Sequence, residues 1–371
     1  MSGLIELRDV TYYYDGSRRP SLDRVSLEVR RGARTVILGA NGAGKSTLFY
    51  HFNGVVEPAE GTVLFDGSPM SYKRRRLREL RSRVAVVLQN PDDQIFGQTV
   101  ESDAAFGPTN IGLPKDEVKE RVDDALLRTG LLELRDKNTL QLSYGQRKRL
   151  ALAGAIAMRP EVLVLDEPTA GLDPQMAQDF MELAEQLHAS GTDVIISTHD
   201  VDLAYSWAEE IHVLNEGRLV YSGDPDGFYG DDACVLTSGV TQPTVFSVNR
   251  ALSGIRGLDE APRPRTGPQL AAKSLTGPRG TMRIVPVDRG EVPGPQAGGV
   301  RVGVYGIDSK VAGAAMDPAP DFMFGGFDAC AYECLGGRGS VLLCDRALVP
   351  VVEGKLRDLE AFGGGVPHQV A

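Results

Sequence analysis

The chain has 371 residues, 42% of them hydrophobic and 24% charged, an ordinary globular balance with enough length for two domains. A formal charge of −10 argues against general nucleic-acid binding, which needs a basic footprint. No run approaches the roughly 18 apolar residues that span a bilayer, the start MSGLIELRDVTYYYDG has no signal-peptide pattern, and four cysteines suggest free thiols. The expectation is a soluble protein that meets a membrane only through a partner.

Residues 4 to 37 predict strands with turns (LIELRDVTYYY, SLDRVSLEV, RTVILG). A glycine-rich loop follows, then a helix over KSTLFYHFNG that ends at Gly54. A short strand pair at GTVLFDG precedes a basic helix, YKRRRLRELRSR, and the buried-strand run VAVVLQ. Helices are expected over 115–135 and 146–158, and EVLVLDEP and TDVIIST predict two more buried strands. IHVLNEGRLVYSG predicts a hairpin turning at Asn215 to Gly217. Strands alternating with helices imply an α/β domain with a mostly parallel sheet.

Composition divides the rest. Residues 1–233 form the first expected domain and 234–256 a short helical tail. Residues 257–299 are rich in Pro and Gly and predict a linker. Residues 300–371 predict a small α/β domain of unknown role, with the strands VRVGVYG and SVLLC and helices near 327–335 and 351–361.

GANGAGKST, Gly39 to Thr47, fits G-x-x-x-x-G-K-[ST] between a predicted strand and helix. Such a loop points backbone N–H groups at phosphate oxygens and adds the positive end of a helix. The loop residues Gly39, Ala40, Asn41, Gly42, Ala43 and Gly44, with Lys45, Ser46 and Thr47, are the expected ATP cradle. Lys45 would reach the β- and γ-phosphates and Ser46 would coordinate Mg²⁺. Asp166 and Glu167 close the apolar strand VLVLDEP at the sheet edge where ligands collect. Asp166 suits Mg²⁺ and Glu167 a general base that polarises water. An acidic pair at a strand end is more often a solvated turn, and only the loop beside it makes this reading specific.

In QLSYGQRKRLALAGAIAM, Ser143 predicts an N-cap, and Gly145 allows close backbone approach at a helix start able to bind phosphate. This stretch resembles the L-S-x-G-Q signature of the ATP-binding-cassette ATPases. The resemblance implies a P-loop NTPase fold with a mostly parallel sheet, an antiparallel β subdomain and a helical subdomain, here followed by the C-terminal α/β extension. It implies that Ser143, Gly145 and Gln146 of one subunit cap ATP held by another, in a homodimer or a paralogue heterodimer. TAGLD, Thr169 to Asp173, matches the loop after the acidic pair, and His199 in ISTHD matches the switch histidine. Gln89 matches the glutamine that joins nucleotide and Mg²⁺ to the transport partner. Tyr14 matches the aromatic that stacks on adenine, with Tyr12 and Tyr13 within a residue or two of that register.

QNPDDQIFGQTVESDAAFGP, residues 89 to 108, is similar to the ATP-binding subunits of energy-coupling-factor transporters. That likeness implies an integral membrane coupling subunit and a substrate-binding membrane subunit as partners, no nucleic acid, and a place at the cytoplasmic face of the cell membrane. Arginines of the coupling helices would meet Asp92, Asp93, Glu101 and Asp103, and Ile95 and Phe96 would give apolar contact. A solvated acidic loop is the plainer alternative. Tyr144, followed by Arg147, Lys148 and Arg149, is similar to cobalt-type subunits, with nickel or a vitamin as other cargoes. A non-transport cassette ATPase serving as a regulatory or scaffold module is the rival role.

The basic run from Lys73 to Arg83 predicts a solvated helix face. Cys330, Cys334 and Cys344 could hold a metal, but burial as inert thiols is preferred. His51, His188 and His212 form no ligand spacing.

Overall fold

The computed structural model describes residues 3–296, 299–363 and 365–371. Its chain divides into two compact units, one of Met1–Asp173 with Gly191–Gln242 and one of Pro174–Ser190 with Pro243–Ala371.

In the first unit, strands β1 (Ile5–Tyr12), β2 (Leu22–Val29), β4 (Glu60–Phe65) and β5 (Ser68–Pro69) form an antiparallel sheet in the order β2-β1-β4-β5. A second sheet holds β3 (Thr35–Leu38), β6 (Val84–Val87), β7 (Val162–Asp166), β8 (Asp193–Thr198), β9 (Glu210–Asn215) and β10 (Arg218–Gly223). Its order is β10-β9-β3-β8-β7-β6, with only the β9–β10 hairpin antiparallel. Every residue of β3, β7 and β8 is buried, which is why these strands read as continuous apolar runs rather than alternating ones. The two sheets share one core. Leu7, Val25 and Phe65 of the antiparallel sheet pack in the same cluster as Ile37, Val164 and Ile195, around Phe49 and Phe52 of helix Lys45–Phe52.

The second unit carries a parallel sheet of β11 (Met282–Val287), β12 (Arg301–Tyr305), β13 (Ser340–Asp345) and β14 (His368–Val370), in the order β12-β13-β11-β14. Apolar clusters cover both of its faces. The helix Pro174–Ala189, whose sequence lies within the expected nucleotide-binding domain, groups with this unit.

The linker expectation for 257–299 is corrected. That tract contains helix Gly267–Ser274 and strand β11, which pairs on both sides with β13 and β14. Pro286 made the strand hard to see. The Ile284 carbonyl accepts from Ala371 N, so by alternation Pro286 also turns its nitrogen toward the β14 edge, where pairing has already stopped after Ile284. Proline there removes no ladder hydrogen bond. The tail expected over 234–256 is two helices, Asp232–Ser238 and Thr244–Arg256.

Candidate active site

The loop between β3 and helix Lys45–Phe52 closes tightly, with Ala43 N donating to Ala40 O at 3.1 Å. Gly44 has φ +104°, and a Cβ there would stand 2.8 Å from Ser21 O, so only glycine fits. Lys45 is buried, and its ammonium donates to Gly39 O at 2.6 Å and Ala40 O at 3.3 Å. It also lies 3.1 Å from Glu167 Oε1. Ser46 Oγ donates to Asp166 Oδ2 at 2.6 Å, and the Ser197 hydroxyl donates to Asp166 Oδ1. Thr47 turns the other way, toward Tyr14 Oη at 3.1 Å and Ser21 Oγ at 2.9 Å. Tyr14 is 45% exposed, leaving much of its ring open to solvent.

Asp166 and Glu167 emerge together at the end of β7, both buried. His199 Nδ1 lies 3.0 Å from each carboxylate oxygen of Glu167. One linked group therefore joins Ser46, Asp166 and Ser197, and a second joins Lys45, Glu167 and His199. Glu167 has φ +47°, a left-handed conformation that is costly for a residue with a side chain. Its backbone is pinned on both sides. Glu167 N donates to Ser197 O at 3.1 Å, and Lys148 Nζ donates to Glu167 O at 2.8 Å and Pro168 O at 3.0 Å. Lys148 is buried, and desolvation pulls its ammonium down to about 8. Sequence reasoning saw Lys148 only as one of three basic residues. Their fates differ: Arg147 pairs with Asp92 at 2.7 Å, and Arg149 donates to Thr129 O at 3.3 Å.

The signature helix, Tyr144–Ile156, starts as expected at Ser143. Ser143 Oγ accepts from Gln146 N at 3.2 Å, and Gln146 Oε1 accepts from Ser143 N at 3.0 Å, a reciprocal cap. Among the described residues, no hydrogen bond or ion pair joins Ser143, Gly145 or Gln146 to the phosphate loop of the same chain. Gln89 is exposed just beyond β6, and its backbone carbonyl faces Tyr144 Oη at 3.5 Å. Among the described residues, no hydrogen bond joins its side chain to Ser46 or Asp166.

In the docking segment expected at 89–108, three of the four acids have partners within the chain. Asp103 turns inward, its Oδ1 accepting from Phe96 N at 3.0 Å and Gly97 N at 2.8 Å. Glu101 pairs with Arg135, and Asp92 with Arg147. Backbone donors of this irregular segment take up Asp103, and arginine side chains take up Glu101 and Asp92. Phe96 and Phe106 instead form an exposed edge-to-face pair with centroids 4.2 Å apart. They line a groove of about 1180 Å³ together with Arg74, Arg75, Arg78 and Met158. The basic helix Arg74–Arg83 thus walls a groove, rather than being merely a solvated face.

Cys330, Cys334 and Cys344 are buried in the second unit. Desolvation pushes the Cys330 thiol up to about 12 and raises Cys334 and Cys344 as well. No group of three His, Cys, Asp or Glu able to hold a metal occurs among the described residues.

The family model for ABC transporters matches residues 22–170. The energy-coupling factor transporter ATP-binding protein EcfA of Methanothermobacter thermautotrophicus is 44% identical over 249 residues, 67% of this chain and 79% of that protein. EcfA2 of Methanospirillum hungatei is 35% identical over 364 residues, 94% of this chain and 91% of that protein, a match long enough to take in the second unit. Among solved structures, CbiO1 of Clostridium perfringens, part of the transporter complex CbiONQ, is 37% identical with a TM-score of 0.58, covering 70% of this chain and 100% of that one. The dimeric cassette MJ0796 bound to ADP and phosphate is 26% identical with a TM-score of 0.56, covering 60% and 100%. Matched at these lengths, and with Lys45, Asp166 and Glu167 assembled at one sheet edge, the chain belongs to the ABC ATPases, among the ATP-binding proteins of energy-coupling-factor transporters.

Proposed function

We propose that this chain hydrolyses ATP to energise an importer of the energy-coupling-factor type, with cobalt as cargo. One observation carries the catalytic part: the buried Lys45 and Glu167 and the exposed His199 form a single contact group beside the Ser46–Asp166 pair. The loop N–H groups and Lys45 would hold the phosphates, and Tyr14 would stack on the base. Two hard oxygens 2.6 Å apart, one a buried carboxylate's, fit Mg²⁺, so Ser46 and Asp166 would hold it, and the family likeness adds Gln89, just beyond β6, as a third ligand. Bound there, Mg²⁺ would supply positive charge to offset that of the phosphates. Glu167 accepts the proton of the attacking water, while His199 orients its carboxylate and Lys45 offsets its charge. The chemistry is mostly placement and electrostatics.

Ser143, Gly145 and Gln146 do not reach the loop of their own chain, which supports a site completed by a second subunit; MJ0796 is a dimer by its description. No described helix is long and apolar enough to cross a membrane, so membrane attachment runs through partners. The arginine- and phenylalanine-lined groove suits a coupling helix of an integral membrane subunit, and the exposed Asp93 is next in sequence to its lining residue Gln94. Cobalt is supported by the likeness to CbiO1 of CbiONQ and by Tyr144 with its basic triplet. The test is ATP-dependent uptake into vesicles holding the complex purified on this subunit. Cobalt uptake is expected; uptake of nickel or a vitamin instead would overturn the cargo, and purification without a membrane subunit would overturn the transport role.

A further inference from the structure

Helix Pro174–Ala189 begins at the residue after Asp173 and buries two kinds of side chain. Phe180, Leu183 and Leu187 form an ordinary apolar stripe. Asp179, Glu182 and Glu185 form a second stripe at helical spacing, and the two glutamates are only 6% and 7% exposed. Carboxylates at that depth need partners, and the C-terminal sheet supplies them.

The sheet offers a specific place. The helix after β12, Ile307–Ala314, packs Ala312 against Val304, Val341 and Leu343. The helix following β13, Val349–Glu360, packs Val352 and Leu356 against Ile284 and Leu342 on the opposite face. Connections that leave adjacent parallel strands to opposite faces open a crevice at the carboxyl ends, which is where open α/β sheets bind ligands. Here the crevice lies between Tyr305 and Asp345. Asp345 caps the helix at Ile307, accepting from Ser309 N at 2.7 Å and Asp308 N at 3.2 Å. Gly306 has φ +103°, and a Cβ there would collide with the Asp345 carboxylate at 2.3 Å.

The occupant of this crevice is the acidic stripe. Lys310 Nζ donates to Glu182 Oε2 at 2.7 Å and Asp179 Oδ1 at 2.6 Å. Gly306 N reaches Glu182 Oε2 at 3.4 Å, the Tyr305 hydroxyl donates to Glu185, and Lys355 lies 3.0 Å from Glu185. Burial holds the Tyr305 phenol far above its usual range, so it stays a donor. At its other end the helix continues into a taut loop: Leu172 N donates to Thr169 O, Ala170 N to Glu167 O, and Lys148 fixes Glu167 O. Six residues separate the start of the helix from the general base.

We propose that the C-terminal α/β unit is a carboxylate-binding module whose crevice grips Asp179, Glu182 and Glu185, and so brakes ATP turnover through the helix that leaves the Thr169–Asp173 loop. The grip gives that helix one position, whereas turnover requires the loop and its base to alternate between arrangements. Lys310 and Tyr305 are positioning residues in this scheme, acting on Glu167 only through the helix. The proposal rests on residues 166–173 serving hydrolysis.

The test uses the full-length chain with Lys310→Met, the milder Tyr305→Phe and the charge-preserving Lys310→Arg. Turnover, affinity for a fluorescent ATP analogue and amide exchange over 174–190 are measured together. Loss of a charged hydrogen bond should speed exchange there about tenfold. Turnover should rise several-fold in Lys310→Met and Tyr305→Phe at unchanged nucleotide affinity, and Lys310→Arg should return it toward the parent value. Faster exchange with unchanged turnover overturns the brake. Turnover and affinity falling together with the melting temperature would show a structural support only, and also overturns it. A parent that hydrolyses no ATP would instead sink the activity on which the proposal rests.

Discussion

Replacing Lys148 with Met separates stability from catalysis in a way the structure makes quantitative. The ammonium is buried, and desolvation lowers its pKa from 10.5 to about 8. At neutral pH, holding it charged therefore costs about 3 kcal/mol. Against that stand two hydrogen bonds from a charged donor, to Glu167 O and Pro168 O, at about 1.5–3 kcal/mol each. The two sides nearly cancel, so Lys148→Met should destabilise the fold by no more than about 3 kcal/mol. Catalysis has no such compensation. Glu167 sits at φ +47°, a conformation costing roughly 1–2 kcal/mol that Lys148 helps to hold. Each 1.4 kcal/mol lost to relaxation depopulates the active geometry about tenfold. Phosphate-release assays should show turnover down about tenfold or more, with binding of a fluorescent ATP analogue unchanged because Lys45 and its loop are intact. Titration gives an independent sign. The unfolded chain binds more protons than the folded one between about pH 8 and 10.5, so Lys148 contributes stability that rises with pH across that window. Below it the burial penalty is present in full. The stability difference between parent and variant should therefore grow in the parent's favour from pH 8 upward. A folded variant with turnover within twofold of the parent would refute the reasoning.

Lys45→Ala should abolish nucleotide binding, read by the same analogue, because among the described residues no other lysine donates a hydrogen bond to the loop. Glu167→Gln keeps the shape but cannot accept a proton; hydrolysis should fall about 10²- to 10⁴-fold while ATP still binds, and size-exclusion chromatography with ATP should show a dimer that a monomer-only profile would contradict. Asp103→Ala strands the Phe96 and Gly97 N–H groups and should lower stability by about 1–3 kcal/mol in urea titration. Asp93→Lys should reduce uptake by the reconstituted transporter without changing hydrolysis by the isolated subunit, and equal uptake would remove Asp93 from the docking surface.

Much of the site was legible because its chemistry is local in sequence. A glycine-rich turn with Lys45 and Ser46 has one geometry whatever surrounds it, and an apolar strand ending in Asp166 and Glu167 must present them at the sheet edge. The reciprocal cap of Ser143 and Gln146 is local too, although it engages the Gln146 side chain that the family pattern assigns to nucleotide. The parallel sheet was visible because β3, β7 and β8 are apolar on both faces.

Misreadings arose where a residue's meaning depends on a distant partner. Asp92 and Glu101 look like free docking acids until Arg147 and Arg135 arrive from elsewhere in the fold, whereas Asp103 is taken up by backbone amides of its own segment. Strand β11 looks like linker because Pro286 is disfavoured in strands, and only the end of β14 beside it makes the proline harmless. The stripe of Asp179, Glu182 and Glu185 has the spacing of an exposed helix face, and its burial depends on Tyr305 and Lys310 more than a hundred residues later. Sequence by itself determined the phosphate loop, the acidic strand end and the capped signature helix, because backbone geometry and near neighbours set them. Tertiary structure alone decided which charges are buried, since burying a carboxylate is favourable only when a cation or donor comes with it, and those partners are brought together by folding.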